Sequence, residues 1–183
     1  MVSFFSSLRK SLKRLFIFLP LIIGLLTNPI SVNALYPSDP SSVDVLKEDL
    51  HGKDLQNTEY VKYDLSGQDL GESNLQGAYM SVTTAKNASF KGANMKDLIA
   101  YATRFDNADL SDANLTNGEL MKSVFDGANI DGADFTDANL DLSQRKALCE
   151  RASGTNPQTG INTIDSLECT GLKGYMPPKP KAS

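Results

Sequence analysis

From Leu50 to Leu140 every fifth residue is apolar: Leu50, Leu55, Tyr60, Leu65, Leu70, Leu75, Met80, Ala85, Phe90, Met95, Ala100, Phe105, Leu110, Leu115, Leu120, Phe125, Ile130, Phe135, Leu140. An amphipathic helix repeats its apolar positions at three- and four-residue steps and a half-buried strand at two. A five-residue step held this long belongs to neither and marks a solenoid, in which short units stack to build one continuous core. The flanking columns agree. Two residues before the central position the residue is usually small, as at Ser73, Ala78, Ala88, Ala93, Ala108, Ala113 and Ala128. One residue before it Asn or Asp dominates, as at Asp54, Asp64, Asn74, Asn94, Asp109 and Asn129.

Small, then Asn or Asp, then large apolar, then two tolerant positions is a pattern that closely resembles the pentapeptide-repeat family. The resemblance implies an all-β solenoid: a right-handed quadrilateral β-helix of four to five coils over residues 48–142, with four five-residue sides to a coil and twenty residues per coil. At one interstrand spacing of about 4.7–4.9 Å per coil, the rod is roughly 20–25 Å long. Leu98 breaks the small-residue column, but the central residue after it is only Ala100, a volume-conserving exchange within one coil.

The flanks read differently. Residues 1–34 carry Arg9, Lys10, Lys13 and Arg14, then the apolar run Leu15–Leu26, then Val32-Asn33-Ala34. A basic start, an apolar core and a small-x-small ending predict a cleavable secretory signal peptide, cut after Ala34. An uncleaved anchor is the alternative, although the run is short beside the ~20 residues a spanning helix needs. Residues 35–47 are an N-terminal cap or linker. Without the first 34 residues the chain keeps 14 Lys plus Arg against 22 Asp plus Glu, a formal charge of −8, which argues against nucleic-acid binding.

Beyond the repeats, Asp141 or Ser143 can cap a short helix running from Gln144 to Ala152 and ended by Gly154. Ile161–Cys169 forms a second turn or short helix. Cys149 and Cys169 are the chain's two cysteines, and an even count in an exported chain points to a disulfide. Its role is to lock a helical cap over 143–170, because an open solenoid end exposes unpaired backbone and apolar centres. A redox switch is the alternative role. Residues 171–183, rich in Gly, Pro and Lys, are a flexible tail.

The string LCERASGTNPQTGINTIDSLEC resembles the ending of pentapeptide-repeat proteins of the thylakoid lumen of cyanobacteria and chloroplasts. That resemblance implies residence in the thylakoid lumen or periplasm. The lack of a long Ser-rich transit peptide favours a cyanobacterial chain.

Motifs for chemistry are scarce. The sequence holds no phosphate-binding Gly-rich loop, no GxSxG elbow and no HExxH pair, and the chain is expected not to be an enzyme and to take no cofactor. His51, the single histidine, follows a central leucine and should face solvent. Asp126, Asp131, Asp134 and Asp137 crowd the last coil and could gather oxygen ligands for Ca²⁺ or Mn²⁺; the plainer reading is that such residues hydrogen-bond their own turns. The twenty-residue register also places Val61, Tyr79, Ile99, Tyr101 and Met121 outward on one side, beside Val82 and Ala102. That predicts an apolar stripe on an acidic rod, and contiguous apolar patches are contact sites.

Two readings of the stripe stay open. In one the chain's own ends cover it, through Leu35, Tyr36, Val43, Val45 and Leu46 or through Leu172, Tyr175 and Met176. In the other it docks a protein of the lumen or lumenal membrane face, or a second copy of the rod. The function expected is therefore a non-catalytic scaffold or protein–protein interaction module. A divalent-cation-binding protein is the alternative. A DNA-mimicking gyrase binder, as in quinolone-resistance members of the family, needs a cytoplasmic location that the signal segment opposes.

Overall fold

The structure, a computed structural model, describes residues 49–172, which fall within one compact unit, Val43–Ser183. The expected signal segment, the 35–47 linker and residues 173–183 of the expected tail lie outside the described residues, whereas Gly171 and Leu172, expected in that tail, belong to the final turn of the cap.

Fourteen parallel bridges join residue i to i+20, from Asp54–Asn74 to Glu119–Asn139. Four five-residue sides therefore close one coil, and Leu70, Phe90, Leu110 and Ile130 stand in one column. The bridging residue of every side is the one before the central apolar position. It donates to the coil below, as Asn74 N–H does to Lys53 O at 2.8 Å, while the central residue donates to the coil above, as Leu75 N–H does to Asn94 O at 2.7 Å. Each side has a single bridging residue, so the coils are held by many short ladders rather than a few long strands.

The five-residue period follows from what the coil encloses. Central residues from Leu65 to Phe135 are at most 1% exposed, and each buried Leu, Met or Phe contributes about 1.5–3 kcal/mol before chain entropy is counted. From Ser73 onward the residue two before the centre is small at every side but that of Leu98, which leaves room for its neighbour's side chain. Leu98 and Ala100 are both fully buried, so the large residue occupies the small column where the centre is small. Phe105 and Phe125, one coil apart, stack at 5.1 Å between ring centroids with planes 11° apart; Phe90 and Phe135 meet them edge-on.

A cap follows the last coil. Helix α1 spans Leu142–Cys149, helix α2 spans Thr163–Ser166, and a 3₁₀ turn covers Cys169–Gly171. The Cys149–Cys169 disulfide ties the end of α1 to the start of that turn, with Cα atoms 5.6 Å apart. Asp141 does stand at the N-cap of α1, but its carboxylate makes no cap hydrogen bond there. Instead it accepts the Lys122 N–H at 2.6 Å. The helix ends at Cys149, before Ala152, with Glu150 at the C-cap. Gly154 does not end it: its φ is +79°, and a Cβ there would sit 2.6 Å from Gly132 N. The glycine is required by close backbone approach to the last coil.

The cap supplies the hydrogen-bond partners that a further coil would have offered. Lys122 N–H finds Asp141 Oδ2, and Phe125 N–H finds Gln144 Oε1 at 3.3 Å. Both partners lie nineteen residues ahead, the same offset as in the backbone ladder, where Leu55 donates to Asn74 O. Phe135 N–H donates to Ser166 Oγ at 3.0 Å, and Gly132 N–H to Ser153 O at 2.8 Å. The Arg151 guanidinium donates to Phe125 O at 2.6 Å and Ala128 O at 3.1 Å. Leaving such groups buried and unpaired would cost about 1–3 kcal/mol each. The loop after Ser153 then runs back along the rod: buried Asn156 donates from Nδ2 to Asp112 O and Ala113 O, and Gln158 Nε2 reaches Gly92 O.

Candidate interaction face

Between sides the chain turns on two residues, and the second has φ of +54° to +72° at every corner from Gly52 to Asp137. This left-handed conformation is easy for Gly, tolerable for Asn and Asp, and costs other residues roughly 1–2 kcal/mol. Three of the four corners follow that preference, with Glu72 the one exception among them. Their left-handed residues are Gly52, Glu72, Gly92, Asp112 and Gly132; Asn57, Gly77, Asp97, Asn117 and Asp137; and Gly67, Asn87, Asn107 and Gly127. The fourth has Lys62, Val82, Ala102 and Lys122. Val82 is β-branched, the residue type least suited to this region.

The fourth corner departs in two further ways. Elsewhere the central carbonyl accepts the N–H three residues on, as Leu110 O accepts from Ala113 at 3.1 Å. At the fourth corner the carbonyls of Tyr60, Met80 and Ala100 accept hydroxyls from the coil above, those of Thr83, Thr103 and Ser123; Leu120 O keeps the common pattern, accepting the Ser123 N–H at 3.1 Å. Thr103 N–H turns to Ser123 Oγ at 3.0 Å. The buried Ser81 hydroxyl, at the first turn position of this corner, has no hydrogen-bond partner.

On this corner lies the apolar stripe. Six large apolar side chains are exposed among the described residues, and four of them are here: Tyr79 (41%), Val82 (52%), Ile99 (37%) and Tyr101 (41%). Val61 and Met121 are half-buried. Tyr79 and Ile99 bridge one another directly, and the Lys122 ammonium stands 5.0 Å over the Tyr101 ring. The first turn position and the bridging column were legible as outward-facing from the sequence. Val82 was named there only as a neighbour, although its left-handed backbone makes it the most strained member.

The carboxylates are spent locally. Asp69 Oδ1 accepts Gly71 N–H at 2.9 Å, and Asp134 Oδ1 accepts both the N–H and the hydroxyl of Thr136. Backbone N–H donation from Gly71 holds the Asp69 carboxyl below the usual range, helped by His51. Asn94 Nδ2 donates to Asn74 Oδ1 one coil below, and Asn129 to Asp109 in the same way. The four crowded aspartates of the last coil do not converge: among the described residues no three His, Cys, Asp or Glu groups gather as a metal cage would require. Asp131 binds the Ser153 hydroxyl at 2.8 Å. His51 is half-exposed, 3.3 Å from Asp69 and 3.9 Å from Glu72. Between the last coil and the cap lies an open cavity of about 300 Å³, lined by Phe135, Leu140, Leu167 and the Arg145–Glu168 ion pair.

These features define a stacked-coil repeat protein with a disulfide-tied cap and one corner unlike the other three. A family profile described as pentapeptide repeats matches eight copies, at residues 64–97 and 103–141. The interval between the two matches is Leu98-Ile99-Ala100-Tyr101-Ala102, which crosses the fourth corner. A solved pentapeptide repeat protein from the Arabidopsis thaliana thylakoid lumen shares 33% identity, covering 75% of this chain and 97% of that one, with a TM-score of 0.48. The chain belongs to the pentapeptide-repeat family. It is also similar to thylakoid lumenal protein TL20.3 of Arabidopsis thaliana, 58% identical over 43 residues, which are 24% of this chain and 15% of that protein. A thylakoid lumenal 15 kDa protein of the same plant is 51% identical over 45 residues, 25% of this chain and 20% of that protein. The chain thus matches only a small part of the length of these two relatives.

Proposed function

We propose that this is a non-catalytic repeat protein of the thylakoid lumen, exported by residues 1–34. Its right-handed, four-sided rod would serve as a protein–protein interaction module, with Val61, Tyr79, Ile99, Tyr101 and Met121 as the contact face. The location rests on the lumenal relatives and on the basic-apolar start of the sequence. The contact face rests on one observation above the rest: Val82 is both half-exposed and left-handed. Solubility alone would place Asn, Asp or Gly there, as at the other corners in every case but Glu72. Two unfavourable choices at one residue, among three exposed large apolar neighbours, are what a contact surface retains and a solvated one loses.

The divalent-cation reading has less support, since the acidic columns are occupied in their own turns. The DNA-mimic reading conflicts with the exported location proposed here. The test is photo-cross-linking in intact membranes from a reactive phenylalanine at Ile99. A defined protein adduct is expected, and Tyr101→Asp with Met121→Lys should abolish it while the melting temperature holds. An adduct unaffected by the double variant would overturn the assignment of the face.

A further inference from the structure

Resting on that reading of the stripe as a docking face, we propose that its occupant is a second copy of this rod, packed side by side and parallel about a two-fold axis that runs along the rod. The argument lies in how charge is ordered across the stripe. Glu59, Tyr79, Ile99 and Glu119 bridge one another in turn and form one column; three residues on from each, Lys62, Val82, Ala102 and Lys122 form the left-handed column. The middle two rows are therefore apolar at both ends, and the outer two carry Glu at one end and Lys at the other. Glu59, Lys62, Glu119 and Lys122 are all exposed. Among the described residues these are the only glutamates in the bridging column and the only lysines at left-handed positions. Arg104, on the adjoining side, is spent on Asp106 at 2.6 Å and adds no net charge. Elsewhere bridging carboxylates bend back onto their own turns, as Asp109 does to accept Ser111 N–H at 3.0 Å. Glu119, one methylene longer, accepts from Asn139 Nδ2 at 2.8 Å instead, and a carboxylate has acceptor capacity for further donors.

A face that meets its own copy does so through a two-fold axis. An axis along the rod keeps every coil at its own height and exchanges the two columns. Glu59 then faces Lys62 of the second copy and Glu119 faces Lys122, each pair occurring twice by symmetry, while Tyr79 meets Val82 and Ile99 meets Ala102 between them. An axis across the rod inverts the order of the coils and keeps the columns, which sets Glu59 against Glu119 and Lys62 against Lys122. Like charges placed face to face oppose that antiparallel arrangement. The stripe rises three coils, about 14–15 Å, too little for the roughly 800 Å² per partner of a standard interface. The association is accordingly weak, concentration-dependent and sensitive to salt.

The experiment follows the full chain, as processed by its host, by sedimentation over a concentration series. Equal mixtures of isotope-labelled and unlabelled protein are then coupled with a carbodiimide, which joins carboxylate to ammonium, and the links between copies are mapped by mass spectrometry. A monomer–dimer equilibrium is expected, with Glu59 joined to Lys62 and Glu119 to Lys122 of the other copy. Glu59→Lys with Glu119→Lys should weaken self-association roughly tenfold or more, an effect of the size that several surface charge pairs supply together, and Lys62→Glu with Lys122→Glu should do the same. Mixing the two variants should restore the dimer. Both sets of substitutions are compatible with the fold, since Arg104 already stands in the bridging column and Glu72 at a left-handed position. A monomer at every concentration, or links joining Glu59 to Lys122 of another copy, would overturn the proposal. An adduct from Ile99 to a different protein in intact membranes would survive either result, so the docking face and its occupant fail separately.

Discussion

The fourth corner and the one diagonally opposite it are made by the same repeat in the same backbone conformation, yet they answer to different demands. At the opposite corner the left-handed residues are Gly52, Glu72, Gly92, Asp112 and Gly132, and the loop after Ser153 runs past it, with Gly132 N–H donating to Ser153 O. At the fourth, Lys62, Val82, Ala102 and Lys122 adopt the same φ without the residue types that make it easy. There the turn carbonyls of Tyr60, Met80 and Ala100 are satisfied by hydroxyls of the coil above, and four large apolar side chains are exposed. The coil geometry therefore does not require Gly, Asn or Asp at any given corner; it charges about 1–2 kcal/mol for each departure. Where a departure also exposes apolar surface, contact is the explanation the physics favours.

The comparison can be broken at several levels. The largest effect should come from the interior that all corners share: Phe105→Ala removes a fully buried ring from the Phe90–Phe105–Phe125 stack and should cost about 3–5 kcal/mol in chemical unfolding. Losing the disulfide through Cys149→Ser with Cys169→Ser should cost about 2–5 kcal/mol, read as a lower melting temperature and faster proteolysis of the cap. Arg151→Met takes from Ala128 O its donor, while Phe125 O keeps the Ala128 N–H at 3.0 Å, and should cost about 1–3 kcal/mol.

Next comes a pair of hydroxyl deletions that separates the corners directly. Thr103→Val leaves the buried Met80 carbonyl without its partner and should cost about 1–3 kcal/mol, whereas Ser73→Ala should cost roughly 0.5 kcal/mol or less, because Leu70 O keeps the Ser73 N–H. Equal costs would erase the distinction between the corners.

The smallest effect is with acid. Asp64, Asp69 and Asp106 have carboxyls held below their ordinary value, by Ser66, by the Gly71 N–H and by Arg104 respectively. Their contribution is complete above the unfolded value and is lost as pH falls through the lowered folded one. A melting temperature flat above about pH 5 and declining below about pH 4 is expected, modest because all three groups are largely solvated.

The rod was legible in the sequence because one constraint recurs: nearly every side carries a bridging residue before an apolar centre, most with a small residue ahead of it, so the register declares itself from Leu50 to Leu140. The conformational demand on the last turn position was equally visible as a column of Gly, Asn and Asp, but reads as tolerance until φ is known. The cap was harder. Its helix was anticipated, but Asp141, Gln144, Arg151 and Ser166 act through single side chains aimed at backbone groups of the last coil, and Asn156 acts on residues more than forty positions back. Such non-recurring contacts leave no period to read. The Asp141 side chain shows the difficulty plainly: a residue type that suits a helix cap serves instead as the first partner of an absent coil.

The most direct test of the claim that the fourth corner keeps contact residues at the expense of stability is Val82→Asn, with thermal unfolding and the membrane cross-link from Ile99 measured on the same protein. The account predicts a rise in stability of about 1 kcal/mol, from a residue better suited to the left-handed region, together with a clear loss of cross-linked partner. A variant that melts no higher than the parent, or that melts higher and cross-links undiminished, would contradict it.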